Sequence, residues 1–162
     1  MNKSILNSDD SAVERGDLSN VTTYQAGVMQ ATTHRLLQKY CDDILASYGI
    51  TKMQWLIIGT ILDSGEKGIR ITELAQQVGT TLSYLTNTVN LLESKDILKR
   101  AAHSEDSRSK FVSINPTYTN TANEIESFLR RRLRESVYSN ISAEEFRVYM
   151  KVLSQLSKVN KP

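Results

Sequence analysis

Apolar residues recur along most of this chain at three- and four-residue steps, the spacing that lines one face of an α-helix. From about Val28, the positions Leu37, Tyr40, Cys41, Ile44, Leu45 and Tyr48 follow that spacing and predict an amphipathic helix, which Gly49 stops. Thr51-Lys52-Met53-Gln54 then has the capping-box form, a hydroxyl at the N-cap and Gln three residues on. The helix it opens carries Met53, Trp55, Leu56, Ile58, Ile61 and Leu62 and ends near Ser64 and Gly65; its broad apolar coverage makes it central. Ile69-Arg70-Ile71 reads as a short extended piece, after which Thr72 can cap a small helix burying Leu74, Ala75 and Val78 up to Gly79. Thr80 and Thr81 cap the next helix, over 81–94, where Leu82, Leu85, Val89 and Leu92 share a narrow arc. Two short helices joined across Gly79 make a helix-turn-helix.

Beyond Lys95 and Asp96 the period changes. Residues 97–100 and 110–114 read as strands, the second alternating through Phe111, Val112, Ser113 and Ile114, with the polar stretch 101–109 as a solvated hairpin tip. Pro116 fits a first helical turn, and Ile125, Phe128, Leu129, Leu133 and Val137 mark a long helix after it. Ser142-Ala143-Glu144-Glu145 is a further capping box, opening a last helix with Phe146, Tyr149, Leu153 and Leu156 on one face. The first 22 residues show no sustained period and read as a flexible tail. The fold class is therefore mainly α with a small β-hairpin wing: a winged helix-turn-helix over 51–115, framed by long terminal helices over 23–48 and 116–160, in one domain from 23 to 162.

Composition changes this picture little. Twenty Lys and Arg against eighteen Asp and Glu leave a net charge of +2, too small to name a polyanionic partner. One Cys cannot form an intrachain disulfide, and with two His it gives no metal-site spacing. The longest apolar runs fall short of the ~20 residues of a membrane span, and the N-terminus lacks a secretory apolar core, so a cytoplasmic protein is expected. His34 and Cys41 share a helix but lie about 10 Å apart along its axis, so they cannot act as base and nucleophile, and no phosphate-binding glycine loop occurs. Enzymatic activity, a metal and a cofactor are not expected.

The order of motifs from Gly49 to Ile114 resembles the multiple-antibiotic-resistance regulator (MarR) family of bacterial transcription factors. The residues that carry the resemblance are Ile-Thr-Glu-Leu-Ala at 71–75, Thr86, Leu92 with Glu93, Arg100, and Asp106-Ser107-Arg108 in the wing. It implies a homodimer, formed through the terminal helices, that binds double-stranded DNA at a pseudo-palindrome, more often as a repressor. On the 81–94 helix, Ser83, Asn87, Asn90 and Ser94 fall opposite the leucine stripe with Tyr84 at the edge, a face that suits a major groove. Thr80 and Thr81 begin that face. Read without the resemblance, the same residues make an ordinary solvated helix surface. In the wing, the resemblance puts Arg108 in the minor groove with Asp106 as its brace, beside His103, Ser104 and Lys110 as further phosphate or groove contacts. A hairpin ion pair between Asp106 and Arg108 is the plainer alternative.

No Lys or Arg lies between Arg70 and Lys95, where the family's recognition helix usually carries basic residues. Phosphate attraction is then expected from Lys95, Lys99, Arg100, Arg108 and Lys110, five cations near the wing. The cluster 130–134 reads as a charged helix face, paired Glu126 to Arg130 and Arg131 to Glu135. The resemblance also implies a small aromatic effector in a cleft to which His34, Tyr40, Tyr48 and Trp55 contribute, although Trp55 and Tyr48 read equally as core and His34 as a surface residue. Cys41 does not match the position of the family's peroxide-sensing cysteine and reads as a buried, inert thiol. The competing reading is a winged-helix protein-interaction module, recognisable by an exposed apolar patch at Tyr84 and Leu91. Arg108→Ala is expected to reduce DNA affinity sharply in a titration at physiological salt; undiminished affinity would overturn the wing assignment.

Overall fold

The structure, a computed structural model, describes residues 21–103 and 106–158, without the side chains of 101–103 and 106–110. The expected tail therefore lies, up to residue 20, outside the described residues. Two units divide the chain, residues 1–37 and 38–162, with the boundary inside the first helix, α1 (Thr23–Leu45). In the first unit Thr22 and Gln25 exchange hydrogen bonds at the start of that helix, the Gln25 N–H reaching Thr22 Oγ1 at 3.3 Å and the Thr22 N–H reaching Gln25 Oε1 at 3.0 Å.

In the second unit the end of α1 buries Cys41 and Leu45, and a 3-10 turn, Ala46–Tyr48, closes on Gly49 at φ 67°. The predicted capping box at Thr51 is formed and opens α2 (Lys52–Asp63), whose first amide also donates to Asp42 Oδ1 at 2.7 Å. β1 (Ile69–Arg70) runs directly into α3 (Ile71–Val78), and Gly79 at φ 71° turns the chain through Thr80 and Thr81 into α4 (Leu82–Ser94). Thr81 Oγ1 accepts from the Tyr84 N–H at 3.2 Å, the N-cap bond expected of a hydroxyl there. Asp96, at φ 58°, ends α4 in the left-handed region while the Ile97 N–H reaches the Leu92 carbonyl at 3.0 Å. β2 (Leu98–His103) and β3 (Asp106–Ile114) complete an antiparallel sheet in the order β1-β3-β2. After a 3-10 turn with Pro116 at its start, α5 (Thr119–Ser136) buries Ala122, Ile125 and Leu129. α6 (Ala143–Leu156) follows the second capping box, in which Ser142 holds the Glu145 carboxyl below its ordinary pKa.

Four expectations need correcting. Thr72 does not cap α3. Pairing of Ile69 with Val112 and Arg70 with Phe111 carries the strand straight to Arg70, and the buried Ile71 begins the helix. Leu82 does not join the buried stripe of Leu85, Val89 and Leu92; as the first residue past the cap it projects beyond the core and is 49% exposed. On α2 it is Ile57 that is fully buried while Leu56 is exposed, because α3, β3 and α5 all pack on α2 and leave Leu56 on the open side. The strands run further than 97–100 and 110–114: Ala101 pairs with Phe111, Ala102 with Lys110, and His103 with Asp106 past a bulge. A backbone ladder forms between strands without any apolar alternation in the sequence to announce it.

α6 differs from the other helices of this unit in burying no residue. Its inner edge touches the chain through an edge-to-face contact of Phe146 with Tyr138, ring centroids 5.0 Å apart, while Leu153 and Leu156 of the expected stripe stay exposed.

Two glycines separate backbone demand from tolerance. Gly68, at φ 68°, sits so close to β3 that an added Cβ would overlap the Val112 carbonyl oxygen and come within 3.0 Å of its carbon. Gly59 lies inside α2 with nothing within 4 Å of such a Cβ. Gly68→Ala is expected to cost about 1–3 kcal/mol, from a left-handed backbone plus overlap. Gly59→Ala should stabilise by about 0.5–1 kcal/mol. Midpoints of urea unfolding should move in opposite directions; a shift of the same sign in both would contradict this account of the β1–β3 approach.

Candidate nucleic-acid interface

The outer face of α4 is built by local chemistry. Gly79 reverses the chain, Thr81 caps the helix, and burial of Leu85, Val89 and Leu92 fixes its rotation. Ser83, Asn87, Asn90 and Ser94 then turn outward together, and all are exposed. Tyr84 and Leu91 flank them at 45% and 44% exposure. Thr80 is partly buried in the turn, its N–H bonded to the Ala75 carbonyl, and Thr81 is exposed with its hydroxyl committed to the cap. The Thr86 and Thr88 hydroxyls donate back to the carbonyls of Leu82 and Tyr84 at 2.8 and 2.9 Å, so they belong to the helix itself. Ser94 likewise donates to Leu91.

Two of the five cations expected to draw in phosphates have other work. Arg100, reaching across from β2, makes an ion pair with Glu93 at 3.1 Å and donates to Asn90 Oδ1 at 2.5 Å. Lys95, at the C-terminal cap of α4, donates from Nζ to the Gly49 carbonyl at 2.9 Å and so ties α4 to the turn before α2. Arg70 lies over the Phe111 ring, 5.4 Å from its centroid. Lys99 is exposed on β2. The hairpin that carries His103, Asp106, Arg108 and Lys110 extends from the sheet as β2 and β3, but those side chains, and Ser104 altogether, lie outside the described residues.

The four effector candidates have different surroundings. Trp55 is in the core, 7% exposed. Tyr40 is half-buried and its hydroxyl donates to the Arg132 carbonyl of α5 at 3.3 Å. Tyr48 is exposed, with Tyr118 near enough to feel its phenol; burial foremost, then Tyr48, raises the Tyr118 pKa. His34 is an exposed residue of the first unit. Cys41 is buried, and its thiol pKa is raised by that burial, offset in part by Lys52. On α5, Glu126 pairs with Arg130 at 2.7 Å as expected, whereas Arg131 lies over the Phe128 ring, 5.7 Å from its centroid, and makes no ion pair with Glu135 among the described residues. The described residues hold no group of three or more potential metal ligands and no helix long and apolar enough to cross a membrane.

A capped second helix of a helix-turn-helix pair, a three-stranded sheet and its hairpin define a winged helix-turn-helix. Residues 48–109 match the model of the MarR family. Among solved structures it is similar to NadR in complex with 4-hydroxyphenylacetate, at 23% identity over 86% of this chain and 95% of that one, with a TM-score of 0.72. It is similar also to the transcriptional regulator PA3341, at 26% identity over 81% and 94%, TM-score 0.69. A mutant of E. coli MarR complexed with operator DNA aligns at 18% identity over 80% and 91%, TM-score 0.71. No curated protein matches the chain.

The residues that sequence reasoning placed differently are the ones whose role depends on a neighbouring strand. Nothing in the local pattern marks Arg100 as a clamp on α4, although an Arg two residues into a strand after a Glu-ended helix is a usable signal. Arg100→Ala is expected to cost about 0.5–1 kcal/mol, the scale of a partly exposed pair. The salt dependence of DNA binding should keep its slope, where loss of a phosphate contact would lower it by about 1. Unfolding midpoints and a salt titration of affinity together check this; a lower slope would return Arg100 to the phosphates.

Proposed function

We propose that this chain is a homodimeric, sequence-specific regulator of transcription that binds a pseudo-palindromic operator in double-stranded DNA, acts as a repressor, and is released by a small aromatic effector. The observation that carries the reading is α4: a capped helix on a winged scaffold that turns its small hydrogen-bonding side chains outward together. Asn and Ser side chains at one face match base edges in a major groove, and the hairpin extends to reach the flanking minor groove through Arg108, braced by Asp106, with His103, Ser104 and Lys110 alongside.

A dimer follows from surface chemistry. α6 leaves Val148, Val152, Leu153 and Leu156 exposed at 40–56%, and covering what remains of such side chains is worth roughly 1 kcal/mol each. A second copy related by a two-fold axis would cover them and set two recognition helices about 34–36 Å apart, one turn of DNA. The domain reading goes with this: residues 51–115 form the DNA-binding lobe, while 23–48 and 116–160 serve dimerisation. Crystallisation of relatives with operator DNA and with 4-hydroxyphenylacetate supports both the partner and an aromatic acid as effector class. A cytoplasmic location belongs to the same reading.

A second reading has its own observation. The recognition helix carries no cation, and Leu82, Tyr84 and Leu91 expose apolar surface, which also suits a protein partner. Selection from random double-stranded DNA with the purified chain separates the two. Enrichment of a palindrome with half-sites one helical turn apart is expected, with affinity in the nanomolar range of specific regulators. Addition of aromatic acids should weaken it, by at least about fivefold for the true effector. If no sequence is enriched at physiological salt, the regulator reading fails and the interaction module takes its place.

A further inference from the structure

Which bases such a helix can read is decided by what it lacks and by what its neighbours hold. The commonest specific contact to guanine is a bidentate one from Arg or Lys to O6 and N7. Residues 71–94 contain neither. The cation that reaches the outer face of α4 from β2, Arg100, is committed to Glu93 at 3.1 Å and to Asn90 at 2.5 Å. A guanidinium carries only donors, so the Asn90 amide must turn its oxygen to Arg100 and its NH2 away. Asn90 thereby has its oxygen oriented by Arg100 and presents its NH2 donors outward, to any acceptor edge. Asn87 is exposed, has no hydrogen-bond partner among the described residues, and keeps both functions.

Apolar side chains flank this face. Leu82 is the first residue of α4 and is 49% exposed, and Leu91 is 44% exposed. Recognition helices touch base edges with their N-terminal residues, and the one apolar group on the major-groove edge is the thymine methyl. Resting on the regulator reading above, we infer that the base pairs beneath α4 are A·T pairs, with Asn87 on an adenine and Leu82 against a thymine methyl, and that no bidentate cation contact to guanine is made from that helix. Arg100 is in this scheme a positioning residue, acting through Asn90.

The test uses the full chain and the operator it selects. Replacing each thymine of the half-site by deoxyuridine removes one methyl and nothing else. At least one position should lose about threefold to fourfold in affinity, the value of a buried methyl. That loss should vanish in Leu82→Ala, whose exposed side chain leaves folding intact. Asn87→Arg should shift the preferred pair at one position from A·T to G·C by about tenfold, the scale of one bidentate contact. A palindrome with invariant G·C pairs under α4, or uracil-substituted DNA bound with undiminished affinity, overturns the inference and leaves the regulator reading standing. Failure to select any palindrome overturns the regulator reading and the inference together.

Discussion

The pairing of β3 with strands on both sides is the constraint on which the lobe depends. Val112, fully buried, faces Ile69 on β1 and Arg100 on β2 in register, and β3 also packs on α2 and α3. The close approach of Gly68 to the Val112 carbonyl lets β1 lie there, and β1 leads without a loop into α3. The angle of α3 thus follows from a strand ladder, and Gly79 passes that orientation to α4. On the other edge, β2 continues from the left-handed turn at Asp96 and brings Arg100 back onto α4. Wing and recognition helix are consequently two ends of one hydrogen-bonded frame, and a backbone ladder of this kind is far stiffer than a chain of surface contacts.

That frame has taken up charge that a count along the chain assigns to DNA. Lys95 and Arg100 satisfy a carbonyl, a carboxylate and an amide within the fold, and Arg70 lies on an aromatic ring. Lys95 and Arg100, committed in this way, add little to counterion release, the source of most non-specific affinity. In the proposed reading, discrimination by α4 rests on hydrogen-bond pattern and methyl contact, which vary with base sequence, more than on the phosphates, which do not. The near-neutral net charge of +2 fits a binder of this type better than one that coats DNA indiscriminately.

Much of this was legible in the residues because it is local. Capping boxes at Thr51 and Ser142, the hydroxyl cap at Thr81 and the glycine turns at Gly49 and Gly79 rest on a side chain meeting a backbone group within a few residues. What was not legible is set by contacts distant along the chain. Thr72 has cap chemistry, but a strand ladder forty residues away decides where α3 starts. Leu82 has the period of the core, but the core ends before it. Leu56 and Ile57 exchange places because three elements pack on α2, and a single helical period cannot say on which sides. The same limit applies to the site: the outward face of α4 follows from periodicity, whereas the orientation of the Asn90 amide follows from an arginine ten residues on.

α6 presents the converse problem, a helix whose local signals are complete and whose packing is not. Its capping box, an ion pair between Arg147 and Glu144 and the contact of Phe146 with Tyr138 are all in place, yet none of its residues is buried. Such features are worth tenths of a kcal/mol to about 1 kcal/mol each, and isolated helices of this length are marginal in water. Most of the stability of α6 must therefore come from covering Val148, Val152, Leu153 and Leu156. In the proposed dimer, order in this helix and association of the two chains are one equilibrium. The spacing of the recognition helices then depends on the same contacts, so a ligand that disturbs the helical frame can change DNA affinity without touching a residue that meets DNA.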